Sequence, residues 1–174
     1  MKRYPKAKIP FPVRPGDTVY RLADGEVTGE VAHGVGVDED GRLCVSKDKD
    51  TFVTIGAEGL LFLTEDDAKA FAQDPASLPD DYGRIDYDAL DLPYYPGQEI
   101  FFPDYDPFFD RWQLLVSYCT HVVFNEDGSV DVHDDTGGWD TIIGERPRFC
   151  TPTFDTARKA RNYVRKQGYG TWKS

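Results

Sequence analysis

The chain is poor in the residues that build disulfide scaffolds and metal centres. Its 174 residues include only three cysteines and three histidines. An odd cysteine count without paired spacing argues against the disulfide framework of a small secreted protein and favours a reducing compartment. No run approaches the ~18 apolar residues of a membrane-spanning helix. We therefore expect a cytoplasmic protein with no membrane contact.

The sequence also lacks the motifs of common enzymes. It contains no Walker loop, no G-x-S-x-G nucleophile elbow and no H-E-x-x-H motif. Asp135-Thr136-Gly137 matches the core of an aspartic protease site, but His133 and Asp134 stand where that site needs apolar residues. A turn between two strands is therefore expected there. We predict that the protein is not an enzyme and that it has no catalytic residue, no resident metal and no cofactor.

Positive charge is scarce and lies at the two ends of the chain. The net charge is −11 at pH 7, from 20 Lys and Arg against 31 Asp and Glu. Residues 1–14 carry +5 and residues 146–174 carry +7, whereas residues 15–145 carry −23. Nucleic-acid binding depends on Lys and Arg contacts to phosphate, so this balance argues against direct nucleic-acid binding. An acidic surface that competes for a basic protein partner fits better.

A basic helix is predicted near the C-terminus, at residues 157–166. It carries Arg158, Arg161 and Arg165 at helical spacing, a pattern that could hold phosphates. Basic residues towards the end of a helix also suit its dipole and would neutralise the acidic body. We favour the second interpretation, because the acidic interval would repel a nucleic acid.

The two halves of the chain resemble one another in four places, in the same order. The shared features are a Pro-Gly turn before a strand, a hairpin with Gly in its turn, a strand that ends at Gly, and a helix with a Thr N-cap. They occupy residues 14–20 and 95–101, 35–43 and 122–130, 51–56 and 139–144, and 64–71 and 153–160, with Thr64 and Thr153 as the expected caps. Their offsets of 81, 87, 88 and 89 drift in one direction, as duplication with small insertions would give.

This pattern predicts an α+β, mainly β fold made of two tandem small SH3-like barrel units, each followed by a short helix. The first unit is expected at residues 1–73 and the second at residues 94–174. An acidic Pro/Asp-rich linker or surface wrap, residues 74–93, joins them. The alternative is a single continuous α+β domain.

The second unit carries an extra segment, residues 101–112, in which six residues are aromatic and three are Asp. Large rings usually pack inside. Any that project outward would form a strong docking point, because aromatic residues dominate interface energies. The predicted partner-binding residues are Asp104, Tyr105, Asp106, Phe108, Phe109, Asp110 and Trp112.

A zinc site is a second hypothesis, on the hairpin predicted around Glu126-Asp127-Gly128. Pairing Asn125 with Ser129 brings four potential ligands to one face, with His121 opposite His133 and Cys119 opposite Asp135. The other face would then be core, formed by Val122, Phe124, Val130 and Val132. A shift of the strand register by one residue would separate these four ligands. The alternative is a polar outer face with a half-buried Cys, and Cys44 and Cys150 are expected to be small strand hydrophobes.

A family resemblance is carried by residues 16–71, from Gly16-Asp17-Thr18-Val19-Tyr20 to the strand and Thr-capped helix at Phe62-Leu63-Thr64-Glu65-Asp66-Asp67-Ala68. This pattern resembles small proteins of phages and mobile elements of gut Firmicutes, and the second half resembles them more loosely. Such proteins include anti-CRISPR inhibitors, some of which occupy nucleic-acid-binding surfaces of Cas effectors. The resemblance implies a phage-encoded inhibitor that acts in the host cytoplasm.

Together these features predict a non-enzymatic acidic binding protein. Its expected partner is a basic protein surface, such as that of a Cas nuclease or another nucleic-acid-binding effector of the host. The alternative is a structural or regulatory accessory module with a peptide-binding or zinc-stabilised barrel. A metal-dependent enzyme ranks third, on the acid pairs Asp80-Asp81 and Asp134-Asp135, since exposed acids in turns are usually only solvated.

Overall fold

A computed structural model describes residues 8–47, 51–86, 90–145 and 152–167. The fold is α+β and mainly β, as predicted. The described residues form ten strands and two α-helices: β1 Thr18–Ala23, β2 Glu26–Val31, β3 Gly34–Asp38, β4 Leu43–Ser46, β5 Phe52–Thr54, β6 Leu61–Phe62, α1 Glu65–Gln73, β7 Glu99–Asp106, β8 Arg111–Asn125, β9 Val130–Asp134, β10 Trp139–Ile143 and α2 Ala157–Lys166.

The strands form two open sheets in which all neighbours are antiparallel. The smaller sheet has the order β2-β1-β6, and the larger has the order β10-β9-β8-β3-β4-β5 with β7 paired to β8. Strand β8 pairs with three other strands along its length. Its first part pairs with β7 from Arg111 to Tyr118, and its second part pairs with β9 and β3 from Cys119 onward. This long strand therefore joins the β7–β8 hairpin to the rest of the larger sheet.

Strand pairing in the second half repeats that in the first. The pair Val35–Val45 in β3 and β4 corresponds to Val122–Val132 in β8 and β9, with both residue numbers higher by 87. The same difference relates the β4–β5 register to the β9–β10 register up to a bulge between Thr141 and Ile143. The strand segments that resemble one another in sequence therefore pair in equivalent ways.

The hairpins β1–β2 and β7–β8 correspond as well, apart from their length. The pair Thr18–Val31 matches Glu99–Tyr118, which is 81 higher on the first strand and 87 higher on the second. The β7–β8 hairpin is therefore six residues longer. The extra residues fall at its turn, within the predicted aromatic segment.

The two halves meet along β3 and β8 around an approximate twofold axis. Gly36 pairs with Val123, which is its own counterpart at the difference of 87. A Cβ on Gly36 would lie 2.5 Å from the carbonyl oxygen of Val122. Glycine is therefore required for the backbones to approach this closely at the axis.

One hydrophobic core runs through both halves. The predicted core face of the β8–β9 hairpin is confirmed, and it packs with buried residues of β1, β3, β4 and β6. Phe11, from the segment before β1, lies edge-on against Phe124 with the ring centroids 5.3 Å apart. Burial of this apolar surface is the main stabilisation of the fold. Cys44 and Cys119 are buried with it, whereas Cys150 lies outside the described residues.

The helix caps agree with the sequence in one half and differ in the other. The Thr64 hydroxyl accepts a hydrogen bond from Asp67 N at 3.1 Å, so the predicted cap of α1 is confirmed. The predicted cap Thr153 is wrong, because α2 begins after Thr156. The backbone stays extended past Thr153, whose N–H donates to Asp140 at 2.7 Å, and Phe154 then pairs with Phe101.

The Pro/Asp-rich segment after α1 packs on the first half where it is described. It starts with a short 3-10 helix, Pro75–Ser77. Gly83 then accepts a hydrogen bond from Leu43 N, and Ile85 N donates to Gly41 O, both at 2.7 Å. The segment therefore covers the surface of the first half. The unit boundaries at 73 and 94 stay a prediction.

Candidate functional site

The predicted partner-binding residues all lie at the end of the β7–β8 hairpin. Asp106–Arg111 is the last pair, and residues 107–110 form the turn. The corresponding hairpin of the first half ends at Ala23–Glu26 and closes with only two residues. Apart from Asp104, which corresponds to Ala23, the predicted residues therefore occupy the part of the β7–β8 hairpin that has no counterpart in β1–β2.

Two phenylalanines of this turn face solvent. Phe108 is 93% exposed, Phe109 67% and the neighbouring Tyr105 44%. The turn that carries them has its own hydrogen bonds, since Phe108 N donates to Asp106 Oδ1 at 3.0 Å. Apolar rings held outward on a structured turn are typical of binding surfaces.

Contacts beneath the two phenylalanines hold the turn in place. The rings of Tyr105 and Trp112 lie 5.6 Å apart across the hairpin, and the Tyr105 hydroxyl donates to Asp110. This hydrogen bond raises the pKa of Tyr105, so its hydroxyl stays protonated. The Arg111 guanidinium lies 4.9 Å from the centre of the Phe109 ring, a cation–π distance. A structured tip loses less conformational entropy when it binds.

The exposed surface continues along β8 beyond the predicted residues. Val116 is 52% exposed and Tyr118 is 48% exposed. They alternate with Ser117, whose hydroxyl donates to Asp135, and this hydrogen bond lowers the pKa of Asp135. The sequence analysis missed Val116 and Tyr118, although the alternation from Trp112 to Tyr118 carries the signal.

The zinc hypothesis is wrong, although its central register is right. His121 pairs with His133 as predicted, but a bulge at residue 120 pairs Cys119 with Asp134. Cys119 therefore points into the core, where burial raises the pKa of its thiol to about 12, while Asp135 bonds to Ser117. Within the described ranges, no three potential ligands come together.

The two histidines instead form an aromatic cluster. Phe52 stacks on His121 with the centroids 4.4 Å apart and meets His133 edge-on at 4.7 Å. Burial lowers the pKa of His121, so its ring is neutral at pH 7.

The acid pair Asp134-Asp135 lies at a turn between β9 and β10, as the sequence predicted for Asp135-Thr136-Gly137. Asp134 Oδ1 accepts hydrogen bonds from Thr136 N at 2.9 Å and from Gly138 N at 2.8 Å. Gly137 has a φ of +83°, which suits its place in the turn. These hydrogen bonds give the Asp134 carboxylate a structural role, because they hold the turn together.

A groove lies on the face of the larger sheet where the two halves meet. This groove has a volume of about 380 Å³. Asp131 lies within it and accepts hydrogen bonds from Asn125 Nδ2 and from Thr141 Oγ1, each at 2.7 Å. Its other walls include the acidic residue Glu126 and the aromatic residue Trp139. The sequence analysis did not identify this groove.

No family model, curated protein or solved structure matches the chain. In the ranges that the structure covers, no helix is both long enough and apolar enough to cross a bilayer. The interpretation of the hairpin tip and of the groove therefore depends on their own geometry and charge.

Proposed function

We propose that the protein is a non-enzymatic binding protein that docks on a basic surface of a nucleic-acid-binding effector through the end of its β7–β8 hairpin. The observation that carries this proposal is the turn at residues 107–110, which presents Phe108 with 93% of its surface exposed. The three aspartates around the turn, Asp104, Asp106 and Asp110, suit a partner rich in Lys and Arg. The aromatic rings would supply affinity, and the carboxylates would supply specificity and rate of association.

The charge of the whole chain supports the same partner class. Residues 15–145, with a charge of −23, contain the hairpin. A field of this sign speeds encounter with a basic surface and repels nucleic acid. An inhibitor encoded by a phage or mobile element, which occupies the nucleic-acid-binding surface of a host effector such as a Cas nuclease, would use both effects.

We infer further that the two halves are tandem SH3-like barrel units, each followed by a short helix. In the first half, β1 pairs with β2 and β6, while β3 continues from β2 and pairs with β4, which pairs with β5. This pairing order supports the proposal, because it matches the five-strand order expected of a small SH3-like barrel when β2 and β3 are counted as one strand. In the second half, β8 takes the place of β2 and β3, and Phe154 forms an isolated bridge to Phe101 of β7.

The proposal is tested by measuring binding to a panel of purified basic nucleic-acid-binding proteins that includes a guide-loaded Cas nuclease. Biolayer interferometry at about 50 and about 500 mM salt separates binding that depends on charge from binding that does not, because the Debye length falls severalfold over this range. We expect at least one partner to bind, with a Kd that rises about tenfold or more at high salt.

Variants assign the binding to the hairpin. Phe108→Ser combined with Phe109→Ser should weaken the same interaction about thirtyfold or more, as expected for interface hot spots. Val31→Ser is the matched control, since Val31 is 49% exposed on a different hairpin. The proposal is overturned if no panel member binds, or if the double variant binds as tightly as the wild type.

A further inference from the structure

The groove on the larger sheet lies at a position in the second half whose counterpart in the first half is occupied by a side chain. At the difference of 87, Ser129 corresponds to Arg42, Asn125 to Asp38 and Asp127 to Asp40. The approximate twofold axis therefore allows the two sites to be compared residue by residue within one molecule.

In the first half, the site is filled by the guanidinium of Arg42. Its Nε donates to Asp38 Oδ2 at 2.9 Å, its Nη2 lies 3.1 Å from Asp40 Oδ2, and its Nη1 donates to Glu58 Oε2 at 2.6 Å. Asp38 is buried, and its other oxygen accepts hydrogen bonds from Asp40 N and Arg42 N. Three carboxylates thus surround one arginine side chain, an arrangement that suits its planar, five-donor group.

In the second half, the side chains that fill this site are replaced by small ones. Ser129 stands in place of Arg42, and Gly34 stands in place of His121. A Cβ on Gly34 would lie only 3.0 Å from Asn125 Oδ1 and from Ser46 Cβ. The groove is open because these two positions carry no large side chain.

The open groove nevertheless keeps an excess of acidic residues. Glu126, Asp127, Asp131 and Glu145 line it, together with Lys47 and with His33, whose Nδ1 lies 3.4 Å from Glu126 Oε2. Hydrogen bonds from Asn125 and Thr141 fix the orientation of the Asp131 carboxylate. The groove therefore offers several acceptors to a cation.

An aromatic wall completes the groove. Trp139 lines it and corresponds to Phe52 of the first half at the difference of 87. The Trp139 ring lies nearly parallel to the His133 ring, with an interplanar angle of 29° and centroids 6.4 Å apart. Arginine stacks on tryptophan more readily than lysine does, because its guanidinium is planar and weakly hydrated.

We propose that this groove binds an arginine side chain of a basic protein partner, with the guanidinium held among the second-half carboxylates as Arg42 is held in the first half. The inference rests on the proposed function, because it names the side chain by which a basic partner is recognised at a second surface. The two proposals concern different surfaces, since the groove lies on the larger sheet and the docking residues lie at the end of the β7–β8 hairpin.

The test uses blocked tripeptides, acetyl-Gly-X-Gly-amide, in which X is arginine, citrulline or lysine. Each is titrated into the ¹⁵N-labelled full chain and followed by amide and indole chemical shifts. We expect the arginine peptide to bind with a Kd on the order of 1 mM, as for a single anchoring side chain. Shifts should centre on Gly34, Ser129 and the Trp139 indole, the lysine peptide should bind more weakly, and neutral citrulline should not bind.

Two sets of variants probe the site. Glu126→Gln combined with Glu145→Gln should weaken the arginine peptide about tenfold or more through loss of charge-assisted contacts. Glu26→Gln combined with Glu99→Gln removes two exposed acids outside the groove and should leave binding unchanged. Ser129→Arg should fill the groove from within and abolish peptide binding.

The result separates this inference from the docking proposal. The Phe108→Ser, Phe109→Ser double variant should bind the arginine peptide as the wild type does, even if its affinity for a protein partner is lost. Equal binding of arginine and citrulline would overturn the inference. So would shifts that map outside the groove, no binding at all, or loss of binding confined to the Glu26, Glu99 control.

Discussion

The hydroxyl of Tyr82 provides a quantitative test of how the segment after α1 is attached to the first half. It donates to Asp67 Oδ2 and accepts from Leu63 N, both at 2.8 Å. The ring lies 6.2 Å from that of Phe62. Burial is the main cause of a raised pKa at Tyr82, so the hydroxyl is protonated and remains a donor across the neutral range.

Tyr82→Phe removes both hydrogen bonds and keeps the ring. The bond to Leu63 N is neutral and contributes ~1 kcal/mol, and the bond to the Asp67 carboxylate contributes about as much again or slightly more. We expect the free energy of unfolding to fall by ~2 kcal/mol. For a chain of this size the midpoint temperature should drop by ~4–8 °C. Urea unfolding followed by tryptophan fluorescence should show a lower midpoint with an unchanged slope.

Tyr105→Phe is the matched control, because it also removes a tyrosine–aspartate hydrogen bond, the one to Asp110. That pair lies on the exposed hairpin tip, where water replaces the lost contact, so the unfolding midpoint should hardly change. A double-mutant cycle of Tyr82→Phe with Asp67→Asn would isolate the carboxylate contribution. If Tyr82→Phe is no more destabilising than Tyr105→Phe, the Tyr82 hydroxyl does not attach this segment to the first half.

Two further predictions concern the central sheet. Because burial lowers the pKa of His121, the folded state binds fewer protons than the unfolded state below pH ~6.5. The free energy of unfolding should therefore fall as the pH drops through the folded-state pKa of His121. His121→Phe, which retains a ring against Phe52, should weaken this pH dependence in urea titrations at several pH values. Gly36→Ala should destabilise the fold by ~1–3 kcal/mol in the same assay, since its Cβ would meet backbone at the twofold axis. Gly29→Ala, whose Cβ would meet only side chains, should lose less, and equal losses would contradict this account.

Local patterns predicted the β8–β9 hairpin well. Gly128 adopts a φ of +83°, and the alternation of apolar residues placed Val122 and Val132 opposite one another in the core. The bulge at residue 120 could not be predicted, because an extra residue in one strand depends on the strands packed against it. That single residue moved Cys119 from the polar face to the core and removed the zinc site.

The correspondence between the two halves could be read from the sequence, but the way the halves meet could not. The pairing of β3 with β8 joins residues 87 apart, and no local signal reports such a contact. The difference between Arg42 and Ser129 was present in the sequence at that offset. Its meaning became clear only when the strand registers showed that the two positions are equivalent.

The central claim is that the end of the β7–β8 hairpin is the docking element, and the repeat supplies its most direct test. Residues 105–112 can be replaced by Asp-Gly, the two-residue turn that closes β1–β2 after Ala23, so that Asp104 and Gln113 flank a short turn. The unfolding midpoint should stay near that of the wild type, because the tip is exposed. The Kd for the basic partner should rise about thirtyfold or more. A folded chimera that binds this partner as tightly as the wild type would contradict the account.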